Sequence, residues 1–191
     1  MRKTIVLERV ILKNFNSFQN DEVPLNNGLT IITGPNGAGK STVFQGIKFA
    51  MGSNERGDRS SKWSNFIRIG EKIGSVEIHI RVDNELYKIR RVIYDDQAPY
   101  FQIMEPGKEK FRNTTATKIH DLITDLKFNP DNVFAFVSQG DVNNIRKMKV
   151  MEIREFLEIG LGLHDLREKI QELPKLRILY AAKQVLVKIE K

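Results

Sequence analysis

The chain has 191 residues, with 31 Lys plus Arg against 24 Asp plus Glu, a formal net charge of +7, and no cysteine. The absence of cysteine excludes a disulfide framework, a thiolate zinc site and a cysteine nucleophile, and the three histidines, His79, His120 and His164, stand too far apart in sequence to suggest a metal cluster. A hydrophobic content of 40% with 29% charged residues is ordinary for a soluble globular chain, no apolar run approaches the ~20 residues that cross a bilayer, and the basic balance favours an anionic partner.

The first residues, MRKTIVLERVILKNF, lack the long apolar segment of a secretory signal and run straight into alternation. Ile5 and Leu7 alternate with Val6 and Glu8, and Val10 and Leu12 follow, which predicts two short strands. Asn26 to Thr33 opens as a turn and continues as a β-branched apolar strand. After the glycine-rich segment Gly34–Ser41, Val43, Phe44, Ile47, Ala50 and Met51 fall at helical spacing, with Gly52 as the stop. Residues 53–74 are polar, basic and dotted with glycine, and read as a loop.

Ser75–Val82 alternates cleanly, with Val76, Ile78, Ile80 and Val82 on one face. After the Asp83-Asn84 turn, Tyr87, Ile89, Arg91 and Ile93 alternate again, and Pro99–Met104 completes an antiparallel meander. The pair Arg90-Arg91 reads as part of a solvated strand face. Thr115 to Leu126 carries Ile119, Leu122, Ile123 and Leu126 at helical spacing. Val133–Gln139 is apolar enough for a buried strand. Val150 to Ile159 reads as a short amphipathic helix ended by Gly160 and Gly162. Beyond Leu163 the residues Leu166, Ile170, Leu173 and Tyr180 partly follow helical 3-4 spacing, interrupted by Pro174.

Gly34-x-x-x-x-Gly39-Lys40-Ser41 is a Walker A match between an apolar strand and an amphipathic helix. Glycines let successive amides of such a loop point inward at phosphates, and the following helix adds its positive N-terminal end. Lys40 is placed to bridge β- and γ-phosphates and Ser41 to hold Mg²⁺ through its hydroxyl. A nucleoside triphosphate is therefore the expected ligand. The chain contains no Asn-Lys-x-Asp guanine-reading motif.

Taken in order, the segments resemble the N-terminal half of a head of the SMC (structural maintenance of chromosomes) type within the ABC ATPases. Similar elements occur in the zinc-hook ATPase of double-strand-break repair and in RecF and RecN. Ile11–Phe18 (ILKNFNSF) resembles the strand-and-turn opening of these heads. Gly34–Thr42 (GPNGAGKST) resembles their Walker A, Asp58–Trp63 a basic stretch about twenty residues later, and Phe136–Ile145 (FVSQGDVNNI) their Q-loop.

The resemblance implies an α/β fold: the N-terminal lobe of an ABC-ATPase head, a mixed sheet around the P-loop helix with an antiparallel meander. Residues 1–162 would form the nucleotide-binding lobe and 163–191 the start of a coiled-coil helix. It assigns ATP to Gly34, Pro35, Asn36, Gly37, Ala38, Gly39, Lys40, Ser41 and Thr42, with Lys13, Asn14 and Asn16 beside the nucleotide and Arg59 approaching its phosphates. Gln139 would complete the Mg²⁺ shell with Ser41 and place the attacking water, acting with Lys40 in catalysis. Family members often carry Arg or Lys where this chain has Asn16.

The chain holds no Ser-Gly-Gly signature loop and no Walker B strand ending in Asp-Glu. In SMC-type proteins those parts follow the coiled coil and fold back. The expectation is a lobe that binds ATP and hydrolyses it only when joined by the C-terminal half of the same head. A second head would complete an ATP-dependent dimer, with DNA bound without sequence preference and a cytoplasmic or nucleoid location. An apolar face is expected where the other lobe docks. The rival readings are the repair ATPase, a nucleotide-dependent scaffold that never hydrolyses, and a small P-loop kinase.

Overall fold

The computed structural model describes residues 4–54, 62–126, 130, 136–137 and 148–160. The chain divides into two compact units, Met1–Asp131 and Asn132–Lys191.

The first unit is built on one sheet. Its strands are β1 (Ile5–Phe15), β2 (Phe18–Pro24), β3 (Ile73–Val82), β4 (Glu85–Tyr94), β5 (Tyr100–Met104) and β6 (Arg112–Thr114). They pair in the order β2-β1-β3-β4-β5-β6, and every pairing among the described residues is antiparallel. The two short runs expected at the N-terminus are one strand of 11 residues, with a register shift between Leu7 and Arg9. Such a bulge turns side chains from one face to the other, which is why the alternation reads as interrupted there. Strand β2, polar and acidic, carries no apolar alternation to announce it. The meander of β3 to β5 follows the predicted register, and Asp83 makes its turn at φ +52.

Helix α1 (Lys40–Ala50) lies across one face of this sheet. Val43, Ile47, Phe49 and Ala50 meet a floor of Val10, Leu12, Phe15, Val76, Ile78 and Ile89, all buried. Gly46 sets the approach: a Cβ there would stand 2.8 Å from Leu12 Cδ2. The loop expected over 53–74 contains a 3₁₀ turn, Trp63–Phe66, followed by an isolated bridge from Ile67 to Phe15. Its rings complete an aromatic cluster, with Phe15 5.8 Å from Phe49 and 5.9 Å from Phe66, and Phe49 4.6 Å from Trp63. Helix α2 (Ala116–Asp125) is N-capped by the Thr115 hydroxyl, which accepts from Lys118 N, and buries Ile119 and Ile123.

The predicted strand through Thr30–Thr33 is the main departure. The segment joins no ladder, and Leu29, Ile31 and Ile32 are 83%, 73% and 40% exposed. A strand of this composition needs partners on its edges and cover on its faces to bury its side chains, and it pairs with no strand among the described residues. In the second unit, helix α3 (Val150–Gly160) forms where the periodicity placed it, with Glu152 accepting from Lys149 N. The strand expected at Val133–Gln139 lies outside the described residues apart from Phe136 and Val137, and the coiled-coil start lies wholly outside them.

Candidate functional site

The loop Gly34–Gly39 leads into α1 through glycines that the backbone requires. Gly37 has φ +84 and Gly39, the N-cap, φ +93, both in the region that disfavours a side chain. A short turn inside the loop is closed by Ala38 N donating to Pro35 O at 3.2 Å, and the helix begins with Val43 N on Gly39 O at 3.0 Å. As N-cap, Gly39 offers no side chain to the first-turn amides, and that turn holds no acidic residue. Those amides are therefore left to an external anion. The Lys40 ammonium folds back over the loop and donates to Gly34 O at 2.8 Å and Pro35 O at 2.7 Å. It thus stands at the loop's mouth, within reach of any phosphate seated there. Ser41 is exposed at the first turn, and Thr42 is buried behind it.

The β1–β2 turn braces this loop. The Phe18 ring and the Ser17 hydroxyl close over Gly39, where a Cβ would lie 2.8 Å from Phe18 Cζ. Asn14 and Asn16 both have positive φ, +47 and +52, a conformation asparagine tolerates better than most residues. Arg68 N donates to Asn14 O at 3.0 Å, Asn16 N to Phe66 O at 2.7 Å, and the Asn14 amide to Ile73 O at 3.2 Å. The asparagine at 16 is thus explained by the turn. Of the residues expected beside the nucleotide, Asn14 and Asn16 sit in this turn next to the P-loop, through Ser17 and Phe18. Lys13 is exposed on the sheet face away from α1, because its neighbour Leu12 faces Gly46. Arg59 and Gln139 lie outside the described residues.

A family model described as an AAA domain matches residues 9–191. The chain belongs to this AAA-domain family. Among its relatives, the chromosome partition protein Smc of Methanocaldococcus jannaschii is 30% identical over 179 residues, covering 86% of this chain and 15% of the relative. The DNA double-strand break repair Rad50 ATPase of Thermoplasma volcanium is 36% identical over 89 residues, 47% of this chain and 10% of the relative. The Rad50 ATPase of Thermoplasma acidophilum is 26% identical over 182 residues, 87% of this chain and 20% of that protein. The chain therefore spans a fifth or less of the length of these relatives, and the likeness is to an SMC/Rad50-type ATPase lobe. Among solved structures, the recombination mediator RecF with ATP matches at TM-score 0.49 and 22% identity over 62% of this chain and 31% of that one. The SMC head domain from Thermotoga maritima matches at 0.48 and 20% over 61% and 41%.

Two charged clusters of this AAA-domain chain escaped the sequence reading. Arg91, expected on a solvated face, is 6% exposed. Alternation puts it on the α1 face, where its guanidinium donates to Phe49 O at 3.1 Å, Ser53 O at 2.8 Å and Asn54 Oδ1 at 3.2 Å. It also lies 4.3 Å from the Phe49 ring centroid, 4.8 Å from Phe101 and 5.0 Å from Trp63. It is a cation at the C-terminal end of the P-loop helix, where the helix dipole favours one. Its neighbour Arg90 points to the other face and donates through Nε and Nη2 to Glu77 Oε2 at 2.9 and 2.7 Å, while His79 Nε2 donates to Oε1 at 2.7 Å. Burial pushes the Glu77 carboxyl up, but the hydrogen bonds from His79 and Arg90 together outweigh it and hold the group below its ordinary range. At the bulge, Glu8 is lowered chiefly by its hydrogen bond from Arg81. The only early signal for Arg91 was its place in the alternation, opposite Arg90; a buried arginine among rings is a tertiary fact.

Proposed function

We propose that this chain is the ATP-binding lobe of an SMC-like DNA-organising ATPase. The observation that carries the reading is the Gly34–Thr42 loop: glycines at positive φ, a helix N-terminus without a side-chain cap, and the Lys40 ammonium at its mouth. Triphosphate oxygens fit that donor set. The Ser41 hydroxyl suits Mg²⁺, which takes few protein ligands beside phosphate oxygens and water; bound there, the ion would neutralise β- and γ-phosphate charge. Gln139 is proposed as the second residue of that shell and Arg59 as a phosphate contact.

The exposed Leu29–Ile32 segment supports the split-head reading. An exposed apolar run immediately before the phosphate loop is the kind of segment to which another strand adds, and the C-terminal half of the same head is the proposed source. ATP binding would then join two heads, and hydrolysis would part them, a ligand-biased two-state interface. DNA is the proposed cargo, held through phosphate contacts of the basic surface.

The similarity to Rad50 ATPases keeps a double-strand-break repair role as the second reading. Isothermal titration with ATP·Mg²⁺ tests the central claim. Lys40→Ala is expected to weaken binding at least tenfold with an unchanged melting temperature, because Lys40 bonds only exposed loop carbonyls. Equal affinity in the variant would refute the site. Adding the matching C-terminal half is expected to produce ATPase activity that Lys40→Ala lacks.

A further inference from the structure

On the sheet face away from α1 lies an open groove of about 1000 Å³. Alternation and register build it. Lys13 pairs Ser75, Ser75 pairs Val92, Val92 pairs Tyr100 and Arg90 pairs Gln102, so these side chains share the face opposite Leu12, Val76 and Arg91. Tyr94 and Tyr100 stack at one side of it, ring centroids 5.8 Å apart at 17°, their hydroxyls 3.5 Å apart. Lys13 and Lys72 line it as exposed cations, with no ion pair among the described residues, and Asn20 and Gln102 add amides.

Two carboxylates also line the groove, Glu71 and Glu77. Glu77 is buried and already bonded to Arg90 and His79, so its charge is answered within the sheet. Arg90 is in turn fixed by Glu77 and by stacking 3.9 Å from the Phe111 ring centroid. What remains available to a ligand is a stacked tyrosine pair, two lysines and the Asn20 amide, with Glu71 at the rim; the Gln102 amide already donates to Asn113 Oδ1 at 3.1 Å. A fixed aromatic platform with flexible cations beside it is the composition that takes bases by stacking and backbone phosphates by charge. A duplex keeps its base faces stacked inside, whereas an unpaired strand presents them to a sheet surface.

We propose that this groove binds a single strand of nucleic acid, a base stacking on the Tyr94–Tyr100 pair and backbone phosphates meeting Lys13 and Lys72. The proposal rests on the reading of DNA as the partner and names the surface and the strand form. It also gives Lys13 a role separate from the P-loop.

The test is fluorescence anisotropy of the 191-residue chain with a labelled oligothymidylate of about fifteen nucleotides, against a duplex of equal length. Single-strand binding is expected to be the tighter. Tyr100→Ala and Tyr94→Ala should each weaken it about tenfold or more, while Tyr100→Phe, which keeps the ring, should stay within about threefold. Lys13→Ala with Lys72→Ala should flatten the salt slope by about 1.4, two phosphate contacts on a single strand. All these side chains are partly or fully exposed, so unchanged melting is expected and checks folding. ATP affinity should not change in the tyrosine variants. Wild-type binding undiminished by the tyrosine changes, or tighter binding of duplex, would overturn the groove while leaving DNA as the partner. No binding of either form would overturn both. Tyrosine-dependent binding of an acidic peptide in place of the oligonucleotide would assign the groove to a protein and likewise overturn the proposal.

Discussion

Replacing Arg91 by Met removes the cation that ties the C-terminal end of the P-loop helix to the meander, while keeping much of its apolar bulk. Two acceptors lose this donor, Ser53 O and Asn54 Oδ1, while Phe49 O keeps its bond from Gly52 N at 3.1 Å. A buried polar group left unpaired costs ~1–3 kcal/mol. The Asn54 amide can turn to water and the Ser53 carbonyl can loosen toward it, so the low end of that range, ~1 kcal/mol, applies to each of the two. The stack on Phe49, Phe101 and Trp63 contributes ~1 kcal/mol more. The expected loss is about 3 kcal/mol, which for a chain of this size lowers the melting temperature by about 6–12 °C. Trp63 is the single tryptophan and sits against Arg91, so its fluorescence reports both the transition and the local environment. Arg91→Lys keeps the charge without the planar fork and is expected to fall between the two. A loss below about 1 kcal/mol for Arg91→Met, with Trp63 emission unmoved, would refute the view of Arg91 as a structural clasp.

Other expectations follow from single observations. Gly39→Ala meets both φ +93 and the Phe18 ring, and should abolish ATP binding measured by titration while the sheet's far-UV circular dichroism stays intact. Glu77→Gln tests the His79–Glu77–Arg90 cluster by pH. The folded carboxyl lies below its ordinary value of 4.5, so its stabilising contribution is present above that value and fades as pH falls through the lower folded one. Urea titrations should show wild type ahead of the variant at pH 7 and the gap closing in acid below about pH 4.5. Leu29→Asn with Ile31→Asn should leave the lobe's own stability within ~0.5 kcal/mol, since both side chains are open to solvent, yet should weaken its association with the C-terminal half in a pull-down.

What the sequence disclosed and what it concealed divide along physical lines. The phosphate loop, α1, α2, α3 and the meander were legible because each is written in local terms: a glycine pattern, a 3.6-residue or two-residue repeat, a turn. The bulge at Leu7–Arg9 and the strand β2 were not, since a bulge breaks the alternation and β2 has no apolar face to alternate. Arg91 illustrates the same limit within the site. Its sequence neighbour Arg90 belongs to a different cluster on the opposite face; alternation sets Arg91 on the apolar face, and the packing of Phe49, Trp63 and Phe101 shows what receives it there. Asn16, where the resemblance leads one to expect a basic residue, becomes intelligible only once its φ of +52 is seen.

The failed strand at Thr30–Thr33 bears on how binding and hydrolysis would divide between lobes. The segment that leads into the phosphate loop joins no ladder, yet the loop itself is formed. It is held from the far side: by the Phe18 ring over Gly39, by Gly46 and Ile47 of α1 on the sheet, and by Arg91 at the helix's other end. A phosphate cradle anchored through its helix does not depend on the strand before it being paired. Nucleotide binding should therefore be a property of this lobe alone. The groups that would polarise an attacking water are of the kind that stands at strand ends on the other side of such a loop. Adding a strand to Leu29–Ile32 would bring those groups beside the loop at the same moment as it buries the apolar edge. The step that completes the fold and the step that enables hydrolysis would then be the same step.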